Sequence, residues 1–91
     1  MVSKEHAEVI LRGMYKTLGN AVGSLVVNKI VGNLDIENPI NALSDLRKKL
    51  EEVFGESTVK NMLYVVITSS FDNETAQKLL NELQISIGES T

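Results

Sequence analysis

Asn61-Met62-Leu63-Tyr64-Val65-Val66-Ile67-Thr68-Ser69-Ser70-Phe71 is the stretch that decides what kind of protein this is. Its middle, Tyr64 to Thr68, is rich in β-branched side chains, which are stiff about χ1 and suit a pleated strand. Read as a strand, it would pair with the other apolar run, Ser24 to Val31, in an α/β domain. Read as a helix, it sets Val59, Met62, Leu63, Val66 and Ser70 on one face at the 3.6-residue period. Two short strands without further partners are marginal in water, and nothing else in the chain has strand character. The pattern therefore predicts a helix from about Ser57 to Phe71 and an all-α fold, a compact bundle of four to five helices.

Outward from that helix, both flanks read the same way. Before it, Asn38 suits an N-cap and Pro39 the first helical position, where a missing N–H leaves nothing unsatisfied. Leu43, Leu46, Leu50 and Val53 follow as a stripe widened by Ile40 and Phe54, and Phe54-Gly55 closes the helix. Its other face carries Asp45, Arg47, Lys48, Lys49, Glu51 and Glu52. These form i, i+4 pairs of opposite charge, each worth about 0.2–0.5 kcal/mol. After it, Asp72 caps a helix from Asn73 to about Gln84, with Ala76, Leu79, Leu80 and Leu83 inward. Residues 86–91 are expected to fray.

The N-terminal half holds two more helices. Ser3 can cap the first, which runs to about Leu18 with Ala7, Ile10, Leu11, Met14 and Leu18 on one face. Gly19-Asn20 reads as a turn, glycine ending one helix and asparagine starting the next. The second runs from about Asn20 to Val31, with Val22, Leu25, Val26 and Ile30 inward and Val27 and Val31 pointing elsewhere. Gly32-Asn33 ends it, and Leu34 and Ile36 tuck inward from the loop that follows. Gly13 and Gly23 fall inside helices and are expected where helices approach closely.

With 91 residues, the chain makes one domain, ordered over about residues 3–85. Its 43% apolar and 23% charged residues are a globular composition. A net charge of −3 argues against non-specific nucleic-acid binding, which needs clustered Lys and Arg. The one basic triplet, Arg47-Lys48-Lys49, is flanked by acids, so no direct nucleic-acid contact is expected. The absence of cysteine excludes disulfides, thiolate metal sites and cysteine nucleophiles. The start of the chain has no apolar core of signal-peptide length, and no apolar run is long enough to span a bilayer. The cytoplasm is the expected compartment, with no membrane partner.

Few residues suggest chemistry. His6 is the only histidine and lies at a terminus. Glu5, Glu8, Glu51 and Glu52 sit opposite the apolar stripes, in solvent rather than in the pocket that splits carboxylate pKa values. No glycine follows a strand as in a phosphate-binding loop, and Ser69, Ser70 and Ser86 have no base near them in sequence. No catalytic residue, metal or cofactor is expected.

The informative feature is where charge is missing. Charges crowd the first, third and fifth helices, whereas the second has only Lys29 and the fourth only Lys60. A helix apolar nearly all round is usually covered on every side. A chain this size can enclose about one such helix, because so much of its surface stays wet. The excess is a second face on each: Val27 and Val31, and Tyr64, Val65 and Thr68. Exposed apolar patches of this kind mark interfaces, so these five residues are expected to bind a larger protein or a second copy. The alternative is a ligand-sensing or output domain with a small apolar pocket between the second and fourth helices.

Leu18-Gly19-Asn20-Ala21, Ile36-Glu37-Asn38-Pro39 and Leu50-Glu51-Glu52-Val53-Phe54-Gly55-Glu56-Ser57 resemble the helix punctuation of a family of small archaeal all-helical domains, the Nitrosopumilus-output-type domains. The resemblance covers roughly residues 10–80 and implies a helical interaction or output role without an active site. In size and charge the chain is also similar to the small helical accessory subunit of archaeal family-B DNA polymerase holoenzymes. That likeness implies a polymerase partner and a role in DNA replication.

Overall fold

The computed structural model describes residues 3–31 and 37–85, apart from the side chains of Ser24, Ile30 and Val31. It contains α1 (Lys4–Val22), α2 (Ser24–Val31), α3 (Pro39–Phe54), α4 (Glu56–Ser70) and α5 (Asn73–Glu82), with no strand among the described residues. The expected positions of Leu34, Ile36 and the tail lie outside the described residues.

The disputed stretch is helical. Val59, Leu63, Val66 and Ile67 are buried, at the spacing of one helical face. The hydroxyls that favour other conformations are absorbed by the helix itself. Thr68 donates its hydroxyl to the Tyr64 carbonyl at 2.8 Å, and Ser69 donates to the Val65 carbonyl at 2.7 Å.

α1 is the hub, packing on α2, α3 and α4. α3 also touches α2 and α4, and α5 packs on α4. The five residues expected inside α1 are its buried ones. Ser3 caps it, its hydroxyl oxygen accepting from the His6 N–H at 3.2 Å. Asp72 caps α5 by accepting from the Thr75 N–H at 3.3 Å. Asn38 holds the cap position of α3, with its carbonyl accepting from the Ala42 N–H at 2.9 Å. The end of α5 is tied back to α3 by Arg47, which donates from Nη1 to the Leu83 carbonyl at 2.9 Å and from Nε to Glu51 at 3.2 Å.

The first turn is displaced from its expected place. α1 runs on through Gly19-Asn20 and breaks at Gly23, which has φ 89° and ψ 152°. Gly55, between α3 and α4, has φ 92° and ψ 157°. Each helix pair is thus joined by a single residue in a region that side chains exclude. Glycine identity alone does not say which candidate takes that conformation. Here Ala21 and Val22 complete one more turn, and Val22 packs against the core before the break.

Gly13 lies where α1 packs against α4. A Cβ there would fall 2.5 Å from Val66 Cγ1. Only glycine lets the backbone of α1 meet a β-branched side chain at this depth.

The new break resets the phase of α2. Val27, expected on an outer face, is 3% exposed and part of the core. Leu25 and Val26, expected inside, are 80% and 43% exposed. Two smaller departures lie on α3 and α4. Val53 is exposed because the stripe of α3 steps four residues from Leu50 to Phe54 rather than three. Ile67 is buried on α4, whereas Ser70, in its last turn, is exposed.

Candidate protein-binding interface

Opposite its buried residues, α4 presents Ser57, Thr58, Asn61, Tyr64, Val65, Thr68 and Ser69, all exposed. None is charged. Tyr64 is 37% and Val65 55% exposed, side by side at the middle of the face. The two charges of α4 lie at its N-terminal end and neutralise each other, Lys60 Nζ standing 3.4 Å from Glu56. The face is therefore an apolar centre set in neutral hydroxyl and amide groups.

The hydroxyls of Thr68 and Ser69 are cheap to dehydrate. Burying a hydroxyl without a hydrogen bond costs free energy. The hydroxyls of Thr68 and Ser69 already give their protons to carbonyls one turn back. A partner lying on α4 would leave neither donor stranded.

Of the five residues expected at an interface, the structure gathers Tyr64, Val65 and Thr68 on this face. It removes Val27 from any docking surface, because that side chain is enclosed. The side chain of Val31 lies outside the described residues. Leu25 and Val26 form a separate apolar spot on α2, which the sequence reading had turned inward.

The pocket expected between α2 and α4 has no geometric basis among the described residues. Each helix leans on α1 and α3, and the two do not pack together. One apolar cleft, of about 160 Å³, lies instead between α3, α4 and the end of α5, lined by Ile40, Leu43, Ser44, Arg47, Leu63 and Leu83. It is smaller than the roughly 300 Å³ at which ligand pockets begin.

The titratable groups serve the fold. His6 packs edge-on against Phe71, with ring centres 5.1 Å apart, and so joins the start of α1 to the end of α4. Burial raises the Tyr15 phenol above its usual value. The Thr75 side chain and backbone N–H, both hydrogen-bonded to Asp72, hold that carboxyl below its usual range. Among the described residues no charged or polar side chain is buried, and no three His, Asp or Glu residues converge as metal ligands. No described helix is long and apolar enough to cross a membrane.

No protein-family model, curated protein or solved structure matches the chain.

Proposed function

We propose that this chain is a non-catalytic helical interaction module, an accessory subunit that docks another protein through the outer face of α4. The observation that carries the reading is the neutrality of that face. Seven exposed side chains, Ser57 to Ser69, include no charge, and two of them, Tyr64 and Val65, are large and apolar. Completing the burial of these two would contribute on the order of 1 kcal/mol each, given that fully burying such a side chain is worth about 1.5–3 kcal/mol. Both resemblances support an interaction role, and the second would make a family-B DNA polymerase the larger partner.

Val65→Asp tests the reading, because an exposed position tolerates aspartate in the fold while a docked one does not. The expected result is unchanged helical circular dichroism with loss of the proteins that wild type captures from its native cell extract. Thr68→Arg should act in the same direction, and Lys78→Asp on α5 should leave capture intact. Capture that survives both α4 substitutions would place the docking surface elsewhere.

A further inference from the structure

We infer that the molecule is an internal dimer: one helix–glycine–helix unit occurs twice in the chain, as residues 7–31 and 39–63, and the two copies pack on each other as the subunits of a twofold dimer do. The glycine at the bend of each unit is the first sign. From Gly23 to Gly55 is an interval of 32 residues. The two share a backbone conformation, φ 89° and ψ 152° against φ 92° and ψ 157°, in a region that glycine alone enters readily. Their hydrogen bonds agree as well. The Gly23 N–H donates to the Gly19 carbonyl at 3.0 Å, and the Gly23 carbonyl accepts from the Val27 N–H at 3.1 Å. The Gly55 N–H donates to the Glu51 carbonyl at 2.9 Å, and the Gly55 carbonyl accepts from the Val59 N–H at 3.3 Å.

Burial keeps the same interval. Ala7, Ile10, Leu11, Met14 and Leu18 are the buried residues of α1. A step of the same length leads from them to Pro39, Ala42, Leu43, Leu46 and Leu50, the buried residues of α3. Past the bends it leads from Val27 to Val59, both buried. From Met14 to Val27, every described side chain is buried, half-buried or exposed as its counterpart is. Any two amphipathic helices can be slid until their stripes match, but here one interval aligns both helices and the bend between them. Residue identity is kept at the core and the bend, at Leu11 and Leu43, Leu18 and Leu50, Gly23 and Gly55, and Val27 and Val59.

The contacts between the units are those of a twofold and not of a stack. In a solenoid each helix packs on its counterpart in the next repeat, so α2 would meet α4. Among the described residues those two do not pack together. Instead α1 meets α3, and each also meets the second helix of the other unit, α1 on α4 and α3 on α2. Exchanging the units maps this set of contacts onto itself, as in an isologous interface. α5 belongs to neither unit. It packs on α4, and its end is held by Arg47, at the position that Tyr15 occupies in the first unit. The units thus agree where they build the shared fold and differ where the second one carries α5. They also differ on their outer surfaces, where Leu25 and Val26 stand in the places of Ser57 and Thr58, all four exposed.

Exchanging the bends tests the equivalence in the whole chain. Residues 18–27 and 50–59 each begin on a buried leucine and end on a buried valine, so either block can be written in place of the other. The first graft is Gly19→Glu, Asn20→Glu, Ala21→Val, Val22→Phe, Ser24→Glu, Leu25→Ser and Val26→Thr. The reciprocal graft makes the opposite changes at 51–58, so that one adds volume beside the core where the other removes it. At least one graft should keep the helical circular dichroism and a cooperative melt, with Tm within about 8 °C of wild type. Its backbone chemical shifts should keep the helix break at the glycine. Residues 67–76 provide the control, since that block also begins and ends on buried side chains but joins α4 to α5 without a glycine. Written over 18–27, it should melt well below the successful graft. Loss of the cooperative melt in both grafts, or a break that leaves the glycine, would overturn the equivalence of the units. A control as stable as the grafts would show that the bend accepts any block, and the inference would fall with it.

Discussion

Adding one methyl group at Gly13 should destabilise the protein although it improves the helix. Alanine in place of glycine inside a helix is worth about 1 kcal/mol by propensity alone. Here the added Cβ would sit 2.5 Å from Val66 Cγ1, about 1 Å inside an ordinary carbon–carbon contact. Val66 is 4% exposed and β-branched, so it cannot swing aside as a long side chain would. Either it takes a poorer rotamer or α4 moves away from α1, and overpacking of this kind costs about 1–3 kcal/mol. The clash outweighs the propensity. Gly13→Ala should lose about 1 kcal/mol net, lowering Tm by roughly 4–8 °C for a domain of this size.

The sign should reverse once the obstruction is removed. Val66→Ala alone discards two buried methyl groups and should cost about 2 kcal/mol. In that background Gly13→Ala should stabilise by up to about 1 kcal/mol, because only the propensity remains and the new methyl part-fills the space. The cycle would then show coupling of about 2 kcal/mol between the positions. Urea titrations followed by far-ultraviolet circular dichroism suit a chain without tryptophan. A Gly13→Ala variant more stable than wild type, or a change of equal sign and size in both backgrounds, would refute the close approach of α1 and α4 at this point.

The remaining predictions concern helix boundaries and a cap. Gly23→Ala and Gly55→Ala should each cost about 1–3 kcal/mol although the new methyl meets nothing within 4 Å, because φ values of +89° and +92° exclude a side chain. Gly19→Ala, also in open space but inside α1, should stabilise by about 0.5–1 kcal/mol. Thermal melts of the three variants locate the turn. Hydrogen bonds from Thr75 hold the Asp72 carboxyl below its ordinary value, so its charged form is favoured by folding. Its contribution is present above that value and is lost as pH falls through the depressed folded pKa. Melts of wild type and Asp72→Leu should therefore diverge at pH 6 and converge near pH 2, and a constant gap would remove the carboxylate from the cap.

The sequence made the fold legible wherever periodicity and caps agreed. In α1, five apolar positions and a serine cap pointed one way, and the buried set is the expected set. In α4, β-branched propensity opposed periodicity. Periodicity prevailed because one apolar face packs against three neighbours and the hydroxyls bond within the helix. The turn at Gly23 was hidden by a second glycine four residues earlier, since both can end a helix and only packing selects between them. That error carried into α2, where a change in starting residue rotates every side chain and brought Val27 inward. On the outer face of α4, the exposure of Tyr64, Val65 and Thr68 was legible because missing charge survives any uncertainty of phase. Leu25 and Val26 were not, because their exposure depends on that phase.

The dimensions of the molecule sharpen the argument from missing charge. It measures 34 × 29 × 19 Å, and 19 Å is about two helix diameters. A body two helices thick has no central rod, so every helix keeps a side in water. α1 fills that side with Lys4, Glu5, Arg12 and Lys16, α3 with Asp45, Lys48 and Glu52, and α5 with Glu74, Lys78 and Glu82, all exposed. α4 is equally peripheral, and nothing in the fold demands neutrality at Asn61, Val65 or Thr68, which point away from the core. Lysine or glutamate there would suit the helix better than threonine or valine do and would keep the surface wet. Folding therefore accounts for the inner face of α4 and leaves its outer face without a cause. The docking role proposed for this face supplies one, since each charge it lacks is a charge that no partner has to strip of water.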